Sequence, residues 1–244
     1  MNTERELLYR METDIEDLNE HNMLKPYVYQ RLFAQLADRH LEALDEDIGK
    51  LMQYKLAWAL VSISIEIVRP IVGIVRLNAI TWHSQRRGPY FRRDFVFRND
   101  NNETIFHGTS FSILLDVESR TVYRKRELPF DIIEPVEEYT IDAGPNIKVN
   151  CEYTKVDERR VYGSYIDRLG HVNNCRYGEF GYDVLSDEER SKLSSLKRMD
   201  IFFSSELRDK DIFSVLRATE GNKVFIRGYN ETKSENSFDI IYHF

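Results

Sequence analysis

The feature that most constrains this chain is a repeated order of segments, a helical stretch followed by four β-rich stretches, met once in each half. Residues 27–44 place Val28, Leu32, Phe33, Leu36, Leu41 and Leu44 near a helical period, which predicts one long helix. Residues 56–68, 73–82, 90–98 and 104–117 then carry the β-branched and aromatic side chains that suit a pleated surface. Arg69-Pro70, Arg87-Gly88-Pro89 and Asn99-Asp100-Asn101-Asn102 separate these stretches with turn chemistry. The order recurs with a helical reading over 174–196 and strands over 199–207, 211–219, 223–229 and 237–244. Two details suggest how the copies align. His21 precedes Tyr27 by the interval that separates His171 from Tyr177, and Ser64-Ile65-Glu66 resembles Ser204-Ser205-Glu206. A helix must bury its apolar stripe and an antiparallel sheet one of its faces, so each copy is expected to be a two-layer α+β unit. The acidic stretch 129–145, with Pro129, Pro135 and Pro145, reads as a surface linker. The expected division is a first unit over 1–130, a linker over 131–148 and a second unit over 149–244.

An apolar content of 42% with 12% aromatic residues supports a packed core. The net charge of −7 argues against non-specific binding to nucleic acid, which depends on neutralising phosphates. Basic residues nevertheless cluster in one half: Arg86, Arg87, Arg92, Arg93, Arg120, Arg124, Lys125 and Arg126. They fit either a positive face for an acidic partner or solvated strand edges. The longest apolar stretch, 56–68, contains Ser62, Ser64 and Glu66 and falls short of the roughly 20 residues a membrane helix needs, so no membrane span is expected. The first six residues have neither the basic nor the apolar run of a signal peptide, and a cytoplasmic location is expected. Cys151 and Cys175 make neither a disulfide framework nor a zinc-ligand spacing, and no metal or cofactor is expected.

The densest polar motif is Tyr165-Ile166-Asp167-Arg168-Leu169-Gly170-His171-Val172-Asn173-Asn174-Cys175-Arg176-Tyr177, at the start of the second helix. Asp167 and His171 are spaced to exchange or orient a proton, Gly170 permits a sharp turn, and a helix beginning near Asn173 or Asn174 offers unpaired N–H groups to an oxyanion. The same residues equally fit a plain turn closed by an N-cap. Cys175 beside His171 invites a thiolate-nucleophile reading, though a small residue packed at a helix start is the commoner case.

This segment resembles the Asp-x-Asn-x-His-Val-Asn-Asn signature of acyl-acyl-carrier-protein (acyl-ACP) thioesterases. The resemblance extends to Ala57-Trp58, Ile65-Glu66-Ile67, Thr81-Trp82, Tyr90-Phe91-Arg92-Arg93-Asp94-Phe95, Leu115-Asp116 and Ser119-Arg120. It implies a double hot-dog fold, hydrolysis of fatty acyl-ACP thioesters to free fatty acid, and catalysis in the second copy with the acyl chain held by the first. Residue by residue it implies catalytic roles for Asp167, His171 and Glu206, the last in Phe202-Phe203-Ser204-Ser205-Glu206-Leu207. Leu169 stands where that signature has an asparagine able to hydrogen-bond water or the carbonyl, which leucine cannot do. Leu207 stands where the family often has cysteine.

In the expected mechanism Glu206 is general base on water, His171 supports proton transfer or polarises the carbonyl, and Asp167 orients the site. Direct attack by a carboxylate stays open. Asn173 and Asn174 at the helix start, and Trp58 and Trp82 as tunnel walls, are candidate substrate-binding residues, with core packing the other reading for the tryptophans. The implied partner is acyl carrier protein, docking on positive surface that includes Arg92, Arg93 or Arg124, in a monomer or homodimer. An acyl-CoA thioesterase and a non-catalytic acyl-binding module are the competing functions.

Overall fold

The structure is a computed structural model that describes residues 7–44, 48–125, 127–130 and 135–244. The first unit runs β1 (Tyr9–Glu12), α1 (Pro26–Ala43), α2 (Ile48–Gln53), β2 (Leu56–Ile67), β3 (Arg76–Arg87), β4 (Tyr90–Arg98), β5 (Thr104–Asp116) and β6 (Thr121–Val122). The second runs β7 (Thr154–Arg160), α3 (Asn174–Asp183), α4 (Asp187–Ser191), β8 (Arg198–Phe203), β9 (Ile212–Glu220), β10 (Lys223–Asn230) and β11 (Glu235–His243). All the strands join one antiparallel sheet in the order β1-β3-β4-β5-β2-β8-β11-β10-β9-β7, with β6 added beside β5. Read outward from the β2–β8 joint, the two halves have the same order, as a duplication requires. At the joint Ile63 pairs with Ile201 and Ser64 with Asp200.

Alternation along the strands decides what each face of the sheet carries. Ile63, Ile65, Phe95, Phe97 and Phe106 turn toward the helices and form one buried core with Leu32, Phe33 and Leu36 of α1 and Tyr177 and Phe180 of α3. Phe33 stacks on Phe95 at 4.3 Å between ring centroids. The helices also pack on each other, and Gly178 makes this possible. A Cβ there would lie 2.4 Å from Gln30 Oε1 and 2.9 Å from Tyr27 Cβ.

Residues 135–153 form neither helix nor strand and cross the opposite face of the sheet. Thr140 donates from its backbone N–H to Asp94 Oδ1 at 2.8 Å, and Arg92 Nη2 donates to the Ile141 carbonyl at 2.7 Å. Residues 131–134, at the start of the expected linker, lie outside the described residues.

Several expectations need correction. The stretch 174–196 is not one helix, because Ser186 and Glu189 form a capping box that starts α4 after α3 has ended at Asp183. A 3-10 turn, Leu193–Ser195, follows. The strand expected over 199–207 leaves the ladder at Phe203, since Ser204 and Ser205 both donate N–H bonds to the Ser237 carbonyl in a bulge. Glu206 therefore sits in a loop. β3 begins later and ends later than 73–82, because Gly73 is held with φ +73° by an N–H bond to the Asn22 carbonyl. The strands β1, β6 and β7 and the helix α2 were not expected. β7, Thr-Lys-Val-Asp-Glu-Arg-Arg, is a polar edge strand without apolar alternation. Arg92 and Arg93 are not surface charges, being 7% and 6% exposed. Arg92 pairs with the Asp94 carboxylate at 2.8 Å, and Arg93 meets His83 Nε2 at 2.9 Å. Arg126 lies outside the described residues.

Candidate active site

The polar motif folds as a compact turn ahead of α3. A 3-10 turn, Gly163–Tyr165, leads into an isolated bridge between Ile166 and Val172. Within the loop so closed, Asp167 N–H donates to the His171 carbonyl at 2.9 Å and Gly170 N–H to the Asp167 carbonyl at 3.0 Å. Gly170 has φ +82°, a left-handed conformation that side chains other than glycine adopt at a cost. Asp167 divides its carboxylate. Oδ1 accepts the Leu169 N–H at 2.8 Å, and Oδ2 stands 3.3 Å from His171 Nδ1. Both side chains are about one-fifth exposed, so they open on solvent without being fully bathed in it.

Glu206 is brought to this turn by the backbone. Val172 N–H donates to the Leu207 carbonyl at 2.8 Å, and Leu207 N–H donates to Tyr177 Oη at 3.1 Å. His171 and Glu206 each precede a residue of that first rung, which places their side chains on one patch. Partial burial raises the Glu206 carboxyl, but a hydrogen bond and charge from Arg208, and charge from Arg120 and His171, outweigh it and hold the group below its ordinary value. Arg208 Nε donates to Glu206 Oε1 at 2.9 Å, and Arg120 pairs with the same oxygen. Lys233 Nζ donates to the Glu206 carbonyl at 2.9 Å.

The remaining expected residues divide. Asn173 caps α3, its Oδ1 accepting the Cys175 N–H at 2.9 Å, so its side chain is already engaged. The Asn174 carbonyl accepts from Gln30 Nε2 at 2.7 Å, while its N–H has no acceptor among the described residues. Trp58 is half-buried on the helix side, edge-on to Phe91 at 4.8 Å, with Leu51, Leu56 and Leu114 around it. Trp82 is not brought to the site. It pairs with Asp94 on the face opposite α1, and its Nε1 donates to the Glu138 carbonyl at 3.1 Å. Its indole packs under the segment between the units. Leu169 is 43% exposed at the rim, its N–H donating to Asp167 Oδ1. Burial pushes the Cys175 thiol up to about 11, which keeps it neutral and removes the thiolate reading. Among the described residues no group of three or more His, Cys, Asp or Glu is placed to hold a metal ion.

The first unit contains the same turn without the same chemistry. Asn19 N–H donates to the Met23 carbonyl, Asn22 N–H to the Asn19 carbonyl, Lys25 N–H to the Asp17 carbonyl, and Leu24 N–H to the Ile71 carbonyl. These bonds match those of Asp167, Gly170, Asn173 and Val172 in turn, and Asn22 has φ +59° where Gly170 has +82°. Hydrogen bonding thus pairs Asn19 with Asp167, His21 with Leu169, Met23 with His171 and Pro70 with Glu206. Aligning His21 with His171 and Glu66 with Glu206 from the sequence was out of register. Spacing between like residues carried that alignment, whereas the backbone pattern decides it. Sequence reasoning placed neither Arg120 nor Arg208 at the site: Arg120 was read only as one of a basic cluster and in Ser119-Arg120 of the resemblance, and Arg208, two positions after the carboxylate, was not singled out.

Residues 5–135, more than half of the 244, match the family described as the acyl-ACP thioesterase N-terminal domain. No curated protein matches the chain. Among solved structures, an acyl-ACP thioesterase from Bacteroides thetaiotaomicron superposes with a TM-score of 0.85 at 19% identity, covering 97% of this chain and 96% of that one. The 12:0-ACP thioesterase from Umbellularia californica gives 0.78 at 14% identity, covering 97% and 96%. A putative oleoyl thioesterase from Lactobacillus plantarum gives 0.76 at 15%, covering 97% and 95%. At such identities the likeness establishes the fold, a double hot-dog. No helix among the described residues is long and apolar enough to cross a membrane. With the family match spanning the first unit and the shared fold spanning both, the chain belongs to the acyl-ACP thioesterase family and is a thioester hydrolase acting on acyl-ACP.

Proposed function

We propose that Asp167, His171 and Glu206 carry the hydrolysis, releasing free fatty acid and holo-ACP and so terminating acyl-chain synthesis. The observation that carries this reading is the Val172–Leu207 rung, which sets His171 and Glu206 side by side with Asp167 behind the imidazole. Glu206 takes a proton from water as its oxygen attacks the thioester carbonyl carbon. The Asn174 N–H at the start of α3, which has no acceptor among the described residues, supports the developing oxyanion, with the helix dipole behind it. Collapse breaks the C–S bond, and the proton passes from Glu206 or His171 to the departing thiolate. Asp167 holds His171 in one orientation.

In this reading the first unit, 1–130, holds the acyl chain, and the second, 149–244, performs the reaction. Support comes from Asn19, Met23 and Pro70, which stand where the second turn has Asp167, His171 and Glu206. Trp58 and its apolar neighbours offer a wall for the chain on the helix side. The carrier docks on exposed Arg87, Arg124 and Lys125 of the first unit. One chain supplies both sheet halves through the β2–β8 pairing, so a monomer is sufficient. A cytoplasmic setting accords with two unbridged cysteines. The test is thiol release from acyl-ACP. Glu206→Gln and Asp167→Asn are each expected to slow it by about 100-fold or more, the usual scale of general-base loss. Rates near wild type in both variants would remove the assignment.

A further inference from the structure

The second unit does not hold Glu206 by itself. Both guanidiniums that reach the carboxylate, those of Arg208 and Arg120, engage Oε1, and Oε2 has no hydrogen-bond partner among the described residues. Arg208 belongs to the same loop. Arg120 comes from the turn between β5 and β6 of the first unit, 86 positions away. That turn is well built. Glu118 and Ser119 donate N–H bonds to Asp116 Oδ1 at 3.1 and 2.8 Å, and Val117 N–H donates to the Lys55 carbonyl at 2.9 Å. Lys55 Nζ also pairs with Glu118 at 2.6 Å. Arg120 itself adopts φ +55°, a conformation that non-glycine residues keep only where the surroundings impose it.

A carboxylate that serves as a base needs one oxygen aimed at water and a fixed rotamer. Two cations on a single oxygen achieve both, because charge-assisted bonds from guanidinium groups restrain the carboxylate in direction as well as in charge. Resting on the reading of Glu206 as the base, we propose that Arg120 is a positioning residue supplied by the first unit, pinning Oε1 of Glu206 so that Oε2 takes the proton from water. The acyl-holding unit thereby completes the reacting site of its neighbour. The lowering of the Glu206 carboxyl by Arg120 accords with this role.

The experiment is steady-state thiol release from acyl-ACP across pH for the full chain, comparing wild type, Arg120→Gln, Arg120→Lys and Glu206→Gln, with thermal midpoints recorded for each. Arg120→Gln is expected to lower kcat several-fold with KM held within about twofold. Its acid limb should move to higher pH, because the carboxylate loses a cation. Arg120→Lys should restore part of both effects, since the ammonium keeps the charge without the fork. A merely electrostatic ion pair would move the acid limb but leave the limiting kcat above it unchanged. An unchanged limiting kcat in Arg120→Gln, or a rise in KM alone, would overturn the proposal. If Arg120→Gln does not fold, the Lys variant decides: a full limiting kcat overturns the proposal, and a reduced one with KM held supports it. Activity retained by Glu206→Gln would instead strike the underlying reading of the base, so the two failures are separable.

Discussion

Glu206 sits between opposing influences: partial burial pushes its carboxyl up, and Arg208, then Arg120 and His171, pull it further down. A base works only when ionised, and this one is held ionised to lower pH than an unperturbed carboxylate. Hydrolysis is therefore expected to persist to lower pH than an unperturbed carboxylate base would allow, which a pH–kcat profile on acyl-ACP reads directly. An acid limb at or above the ordinary carboxylate value would contradict the geometry. Cys175 gives the opposite case. With its thiol pushed up to about 11 by burial, alkylating reagents at neutral pH should leave activity intact, and Cys175→Ser should hydrolyse acyl-ACP at the wild-type rate. At this scale Asp167 and His171 stood out as candidates because a glycine and a run of polar residues crowd one helix start, whereas Glu206 was marked only by the family resemblance. Arg120 was not legible as part of the site, since nothing local marks a turn residue as the partner of a carboxylate in the other unit.

Helix α3 owes its place to a missing side chain. Gly178 lets α1 approach so closely that an added Cβ would strike Tyr27 Cβ at 2.9 Å. Gly178→Leu is expected to destabilise the protein by about 1–3 kcal/mol through overpacking, measured as a lowered denaturant midpoint with an unchanged slope. Because the same helix start presents the Asn174 N–H, hydrolysis should fall with it. The elements themselves were largely readable: α1, β2, β4, β5 and the β9–β11 meander follow the periodicities of their residues within a few positions. β7 and β1 were not, because a short or polar edge strand gains its hydrogen bonds from a neighbour rather than from its own pattern. The break between α3 and α4 was encoded by Ser186 and Glu189, a capping signal hidden inside an apparently continuous helical stretch.

In the whole molecule the joint between the units is the structural centre. Asp200, 4% exposed on β8, lies opposite Ser64 of β2 and accepts from Arg198 at 2.9 Å and His243 Nε2 at 2.9 Å. Burial raises its carboxyl, but bonds from His243, Arg198 and Ser64 prevail and lower it. A depressed folded value contributes stability that is present above the unfolded value and lost as pH falls through the folded one. Asp200→Ala is expected to cost about 1–3 kcal/mol, because it takes the acceptor from the half-buried Arg198 guanidinium and from His243 Nε2, and to flatten the acid side of the stability profile. A thermal midpoint within a degree of wild type at neutral pH would refute this. The proposed docking of the carrier on positive surface is also tested at this scale. Arg124→Glu should raise KM for acyl-ACP while leaving acyl-CoA turnover alone, whereas Arg92→Glu should chiefly unfold the protein, since Arg92 is buried against Asp94.

Taken alone, the sequence determined the kinds of element, their doubled order and the polar motif of the second copy, because periodicity, turn residues and caps are local properties written within a few positions. Only the tertiary structure decided the rest. Strand register put Trp58 under the helices and Trp82 under the crossing segment, and it buried Arg92 and Arg93 that composition had counted as surface. Backbone hydrogen bonding, not residue likeness, matched Met23 to His171 and Pro70 to Glu206. Closure of the sheet between β2 and β8 then brought Arg120 to Glu206. Such meetings depend on how distant segments pack, and no pattern within either segment specifies the other.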